Sequence, residues 1–167
     1  MNSKSLSGCI IAALILLVSV ASAEVPDSIA APGETLVLTM HAQGAQVYEC
    51  KIDAAGKRAW QFREPIATLL VDDKTIGRHY AGPNWELADG SAVVGKVVGR
   101  APGATPQDIP LLKLDVASQR GAGQLAIVTT IQRLNTKGGV ADGPCDATGA
   151  VLSLPYSAVY TFLKKGR

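Results

Sequence analysis

The sequence predicts an all-β protein: a single antiparallel β-sandwich or small β-barrel of roughly eight to ten strands, carrying one disulfide. Three observations carry that expectation. Apolar residues recur with period two rather than at helical i, i+3, i+4, i+7 spacing, and no stretch of ten residues shows a convincing helical stripe. The 17 glycines and 9 prolines divide the chain into short segments separated by turn signals. The length, 167 residues, suits one hydrophobic core, and neither an internal repeat nor a low-complexity tract marks a second domain.

Taken in order, Met1–Ala23 reads as an address rather than as fold. Lys4 precedes an apolar run from Cys9 to Val20, and Ala21-Ser22-Ala23 supplies the small residues that a signal peptidase reads, so cleavage is expected after Ala23. At about 12 residues the run is shorter than the roughly 20 that a membrane-spanning helix needs. Residues 24–167 are then a single β domain in the periplasm or the extracellular medium, with no membrane span. Loss of Lys4 lowers the formal charge from +2 to +1, a field too weak to advertise nucleic acid.

Cys50 and Cys145 are the cysteines left in that domain, and an isolated pair in an oxidising compartment forms one disulfide. A reactive thiol pair or a metal site are the alternatives. With only His41 and His79 to complete a ligand set, bridging is favoured, and no metal or other cofactor is expected.

Among the strands, Glu34–His41 mixes Leu36, Val37, Leu38 and Met40 with threonines, and Gln46–Ile52 places Tyr48, Cys50 and Ile52 opposite Glu49 and Lys51. Arg58–Phe62 is a short strand with Trp60 and Phe62, whereas residues 64–73 suit a helical turn or two. Asn84–Val98 holds Asp89-Gly90 between apolar flanks, a hairpin signal because both turn residues of that type need positive φ. Leu111–Val116 and Leu125–Leu134 follow as strands. Val151–Leu163 is the clearest, with Leu152, Leu154, Tyr156, Ala158, Tyr160 and Phe162 on one face. Pro155 within it points to an edge or a bulge. Two loops stand apart, Gly99–Pro110 and Asn135–Ala150, and a Cys145–Cys50 bond would pin the second to the sheet.

The candidate ligand site is the polar-aromatic stretch around Gly82-Pro83. His79, Tyr80, Asn84, Trp85 and Glu86, joined by Trp60, combine ring faces with hydrogen-bonding groups, the equipment of a small-molecule or sugar platform. This reading places Trp60, Trp85 and Tyr80 partly exposed around one concavity. The other reading is construction: a Gly-Pro turn, a core tryptophan, and a histidine that satisfies nearby backbone. No catalytic residue is assigned. Glu49, Glu86, Asp89 and Asp115 show no defined pairing, and neither Gly-x-Ser-x-Gly, a P-loop nor a dinucleotide fingerprint occurs.

Several blocks in order carry a resemblance: Gln46-Val47-Tyr48-Glu49-Cys50, Trp60-Gln61-Phe62, Gly77 to Glu86 with Asp89-Gly90-Ser91, Ile131 to Thr136 with Gly138-Gly139, Cys145, and Tyr156 to Tyr160. Over nearly all of residues 24–167 the chain resembles the domain of unknown function 3455 family, exported bacterial proteins and fungal secreted or surface proteins. The resemblance implies export, one compact domain and a paired cysteine, and no activity. A looser similarity, through Tyr48-x-Cys50, a later cysteine and an Asp-Gly turn near a tryptophan, is to periplasmic C-type lysozyme inhibitors, with no inhibitory residue to carry over. The expectation is therefore a non-enzymatic envelope or extracellular domain that binds a small molecule, glycan or protein. A hydrolase using the His79 region and a lysozyme-inhibitor-like protein are the alternatives.

Overall fold

A computed structural model describes residues 24–166, so the expected signal peptide lies outside the described residues. Eight strands follow in order: β1 Thr35–Ile52, β2 Arg58–Val71, β3 Lys74–Tyr80, β4 Asn84–Leu87, β5 Ala92–Ala101, β6 Leu111–Arg120, β7 Thr130–Gly138 and β8 Val151–Lys164. Each is antiparallel to the next, and β8 returns to pair with β1 from Thr35↔Lys164 to Glu49↔Val151. The sheet is a closed barrel. Sandwich and barrel share one sequence pattern, an apolar face alternating with a polar one, and only this last pairing separates them.

Inward-facing side chains form one cluster that includes Met40, Leu69, Trp85, Val93, Leu114, Ile131 and Phe162. The period-two reading of β8 holds: Tyr156, Ala158, Tyr160 and Phe162 are all buried. Pro155 sits one residue past Tyr156, the last residue paired with β7, where β8 has only β1 beside it. It is at an edge in the local sense, so its missing N–H breaks no ladder on that side.

Elsewhere local pattern misleads. Residues 64–73 are not helical; they complete β2 and then turn at Asp72-Asp73, both left-handed at φ 48° and 59°. Aspartate tolerates that conformation, and the pairing of Glu64 to Leu70 with β1 overrides any helical preference of the short segment. Glu34–His41 and Gln46–Ile52 are halves of one 18-residue strand, so Cys50 belongs to the first strand rather than to a second. Gly44 at the join permits it, since a Cβ there would run into the Ile66 carbonyl oxygen of β2.

Lys74–Tyr80, not anticipated as a strand, is β3. Gln124–Ile127 is a 3₁₀ turn, and β7 starts only at Thr130. The Asp89-Gly90 hairpin exists, but Gly90 alone has positive φ, 83°. Asp89 contributes through its side chain, Oδ1 accepting from the Ser91 N–H at 2.8 Å and the Ser91 hydroxyl at 2.6 Å.

Candidate functional site

Strand direction sorts the connections into two ends. The β4–β5 turn and the segment 121–129 share one end. The other carries the β3–β4 turn and the loops 102–110 and 139–150. At the first end Leu125 and Val128 are buried and join the barrel's own cluster. The second end opens into a cavity of about 450 Å³. His79, Trp85 and Tyr160 line it, with apolar walls from Phe62, Pro83, Val97, Ile109, Leu112 and Leu114.

The aromatic part is tightly set. His79 stacks on Trp85 with ring centroids 4.4 Å apart and planes 13° from parallel. Tyr160 meets both edge-on, at 5.2 Å from His79 and 5.3 Å from Trp85. The pairing His79↔Trp85 between β3 and β4 produces the stack, because cross-strand partners on the inner face lie one above the other. The His79 ring is oriented by its Nδ1–H, which donates to the Asn84 carbonyl at 2.8 Å and leaves Nε2 as an acceptor. Burial lowers the His79 pKa from 6.5 to about 4, with the Asn84 bond opposing and the Arg133 charge adding to the shift. The ring is therefore neutral at pH 7.

The sequence-derived candidates divide by parity. His79 and Trp85 point inward and line the cavity. Tyr80 and Glu86, one residue along from each, occupy the outer face. There the Tyr80 hydroxyl donates to Glu86 Oε2 at 2.7 Å, and Arg78 and Arg120 each reach the same oxygen at 3.1 Å. The Tyr80 hydroxyl and then Arg78 hold the Glu86 carboxyl below its usual range.

Asn84 acts on the site only through its backbone carbonyl, while its side-chain amide donates to the Ala81 carbonyl. Trp60 is half-buried on the β1–β2 ribbon opposite Cys50 and does not line the cavity. The expected concavity ringed by Trp60, Trp85 and Tyr80 is thus corrected: Trp85 alone of the three lines it. A strand alternates its faces, so a contiguous run such as Arg78–Glu86 cannot place all its rings on one side.

The hydrolase reading requires His79 within hydrogen-bond reach of a carboxylate or hydroxyl. Its described hydrogen bond goes to a backbone carbonyl; Tyr48 and Tyr160 bring hydroxyl-bearing side chains to the cavity, and no carboxylate lines it among the described residues.

The two loops at the open end are fastened at its rim, where Ile109 and Pro110 of loop 102–110 line the cavity. Cys50 and Cys145 form a disulfide with Cα atoms 5.8 Å apart, anchoring loop 139–150 to β1. The backbone reinforces it, with Cys50 N–H donating to Ala150 O and Gly149 N–H to Cys50 O, both at 2.9 Å. Asp108 ties the loops together. Its Oδ1 accepts from Gly138 N–H at 2.7 Å and its Oδ2 from the Thr105 hydroxyl at 2.9 Å, which keeps its carboxyl below the usual range. The Tyr48 hydroxyl, donating to Gly139 O at 2.7 Å, fastens the same corner to the wall.

The family follows from the whole chain rather than from the cavity. The model described as "Protein of unknown function (DUF3455)" matches residues 31–164, every strand of the barrel. The chain belongs to the DUF3455 family. No curated protein and no solved structure matches it.

Three residues of this DUF3455 barrel escaped the sequence reading: Arg63, Arg100 and Arg133, all lining the cavity. A signal existed for Arg133. It lies two residues after Ile131 on β7 and pairs with Tyr160 on one side and Leu112 on the other, so it occupies an inward position. A charged residue on the apolar parity of a strand is the anomaly worth noticing. Arg100 pairs with the same Leu112 from β5. Arg63 falls at the β1–β2 bulge, which no pattern announced.

Proposed function

We propose that this DUF3455 protein is an exported binding protein that holds a small ligand in the open end of its barrel, without chemistry of its own. The observation that carries this reading is the cavity of about 450 Å³ floored by His79, Trp85 and Tyr160. An eight-stranded barrel has an interior that side chains fill or that one small ligand occupies. Here side chains fill one end only. The volume lies within the range of small-molecule sites, and a mostly apolar lining with a few polar groups is their usual composition.

The disulfide Cys50–Cys145 supports an oxidising compartment, in keeping with the expected signal peptide. Of the sequence-derived candidates, His79 and Trp85 are the ones that touch ligand in this reading. Asn84 positions His79, and Tyr80 and Glu86 brace the outer wall.

A thermal-shift screen of small molecules and glycans on the purified, disulfide-bonded protein tests the reading, since a ligand of the folded state alone raises Tm. Val97→Phe, which fills the cavity from β5, should remove the shift while the protein stays folded. A shift that survives Val97→Phe would place the binding elsewhere and overturn the proposal.

A further inference from the structure

The charge of the cavity is as informative as its shape. Three guanidinium groups from three strands, Arg63 of β2, Arg100 of β5 and Arg133 of β7, line an otherwise largely apolar space. Arg63 is partly compensated by Glu64, Nε to Oε1 at 3.0 Å. Arg100 and Arg133 are in no ion pair among the described residues.

Arg133 is braced by a backbone oxygen instead of a carboxylate. Its Nε and Nη2 both donate to Pro110 O, at 3.0 and 2.8 Å, which fixes the guanidinium plane without neutralising it. Its charge is felt by His79, Tyr48, Tyr156 and Tyr160 together, so it sits centrally among the rings. Trp85 Nε1 is buried and has no hydrogen-bond partner among the described residues, whereas the Tyr160 hydroxyl lies against Tyr156 and Arg133. A buried donor left unpaired is uncommon. The cavity is therefore rich in positive charge, and no carboxylate lines it among the described residues.

Resting on the cavity reading above, we propose that the open end selects amphipathic organic anions: a flat apolar body against Trp85 and His79, and one carboxylate-type head group held by Arg133 and Arg100. Guanidinium matches a planar oxyanion in geometry; half-buried Arg133 holds the head group where attraction is less screened than at an open surface, and exposed Arg100 adds a weaker pull. The apolar walls set the body, and the arginines set the sign of the head.

The test compares two fluorescent probes of nearly the same ring skeleton, 1-anilinonaphthalene-8-sulfonate and uncharged N-phenyl-1-naphthylamine, titrated into the purified, disulfide-bonded protein. The anion should bind about tenfold tighter, and added salt should weaken the anion alone. Arg133→Gln should abolish most of that preference. Because Arg133 also braces Pro110, Arg100→Gln serves as the second variant, reducing the preference about threefold with the neutral probe unchanged. Equal affinity for both probes, or a preference intact in Arg100→Gln and Arg133→Gln, would overturn the inference while leaving the cavity a binding site. Failure of both probes to bind would overturn the cavity reading and this inference with it.

Discussion

The two ends of this barrel are built from the same alternation of strands and turns, yet one is filled and the other is not. At the filled end, segment 121–129 dips inward, and polar contacts hold it there. Asp89 Oδ2 accepts from Gln124 N–H at 2.8 Å, the Ser91 hydroxyl oxygen accepts from Leu125 N–H at 3.2 Å, and the Gln119 amide donates to Val128 O at 2.6 Å. These bonds let Leu125 and Val128 reach the core without stranding their backbone in an apolar space. At the open end the bonds run between the loops and the barrel wall. Asp108, the disulfide and Tyr48 lace loops 102–110 and 139–150 to each other and to the wall, and Ile109 and Pro110 line the cavity beside His79 and Trp85 without filling it. A cavity in a small barrel thus depends on how its loops are fastened as well as on which residues line it.

Breaking the restraint at the open end should have the largest effect. Replacing both Cys50 and Cys145 by alanine releases a loop closed over 95 residues of separation, and chain-entropy reasoning predicts a loss of about 4 kcal/mol in reducing-agent-independent denaturant titrations. An unchanged midpoint would mean that the hydrogen bonds of Cys50 and Asp108 hold the loop unaided.

Acid should come next. The folded chain refuses a proton on His79 until about pH 4, whereas the unfolded chain accepts one near 6.5. Stability from this group is thus complete above pH 6.5, falls as the pH drops from 6.5 toward 4, and levels off below; the loss is about 3 kcal/mol. His79→Gln should flatten that window in urea titrations run from pH 7 to 4. A slope that persists in the variant would assign the acid sensitivity to other groups.

At the filled end, Leu125→Ala should cost about 3 kcal/mol in chemical denaturation, because its site is closed on all sides and cannot collapse freely. Ser91→Ala removes one bond to Asp89 and one from Leu125, and about 1–2 kcal/mol is expected by the same measurement. The smallest effect sharpens the contrast. Arg100→Gln, at an exposed position of the open end with no side-chain bond among the described residues, should shift stability by less than about 0.5 kcal/mol. Its consequence should appear in ligand charge preference instead.

Much of the fold was legible because a strand's inside and outside are written in alternate residues. β8 could be read position by position, and Pro155 announced its own local edge. The errors arose where an element depends on partners distant in sequence. The 64–73 stretch looks locally ambiguous and becomes strand only through β1. Residues 42–45 carry little apolar signal, and Gly44 is intelligible once Ile66 lies beside it. At the site, sequence proximity was mistaken for spatial proximity: Arg78–Glu86 holds the right rings, but its parity sends Tyr80 and Glu86 outward. Arg63, Arg100 and Arg133, separated by tens of residues, converge on one cavity.

Side-chain alternation made the all-β class and the apolar face of each clear strand readable from the sequence, and residue count favoured the pairing of Cys50 with Cys145. Tertiary structure decided that β8 closes on β1, that segment 121–129 fills one end while the other keeps a cavity beside loops tied by a disulfide and Asp108, and that three arginines line that cavity. Those outcomes are set by long-range pairing, and no local stretch of this chain encodes its partner's position.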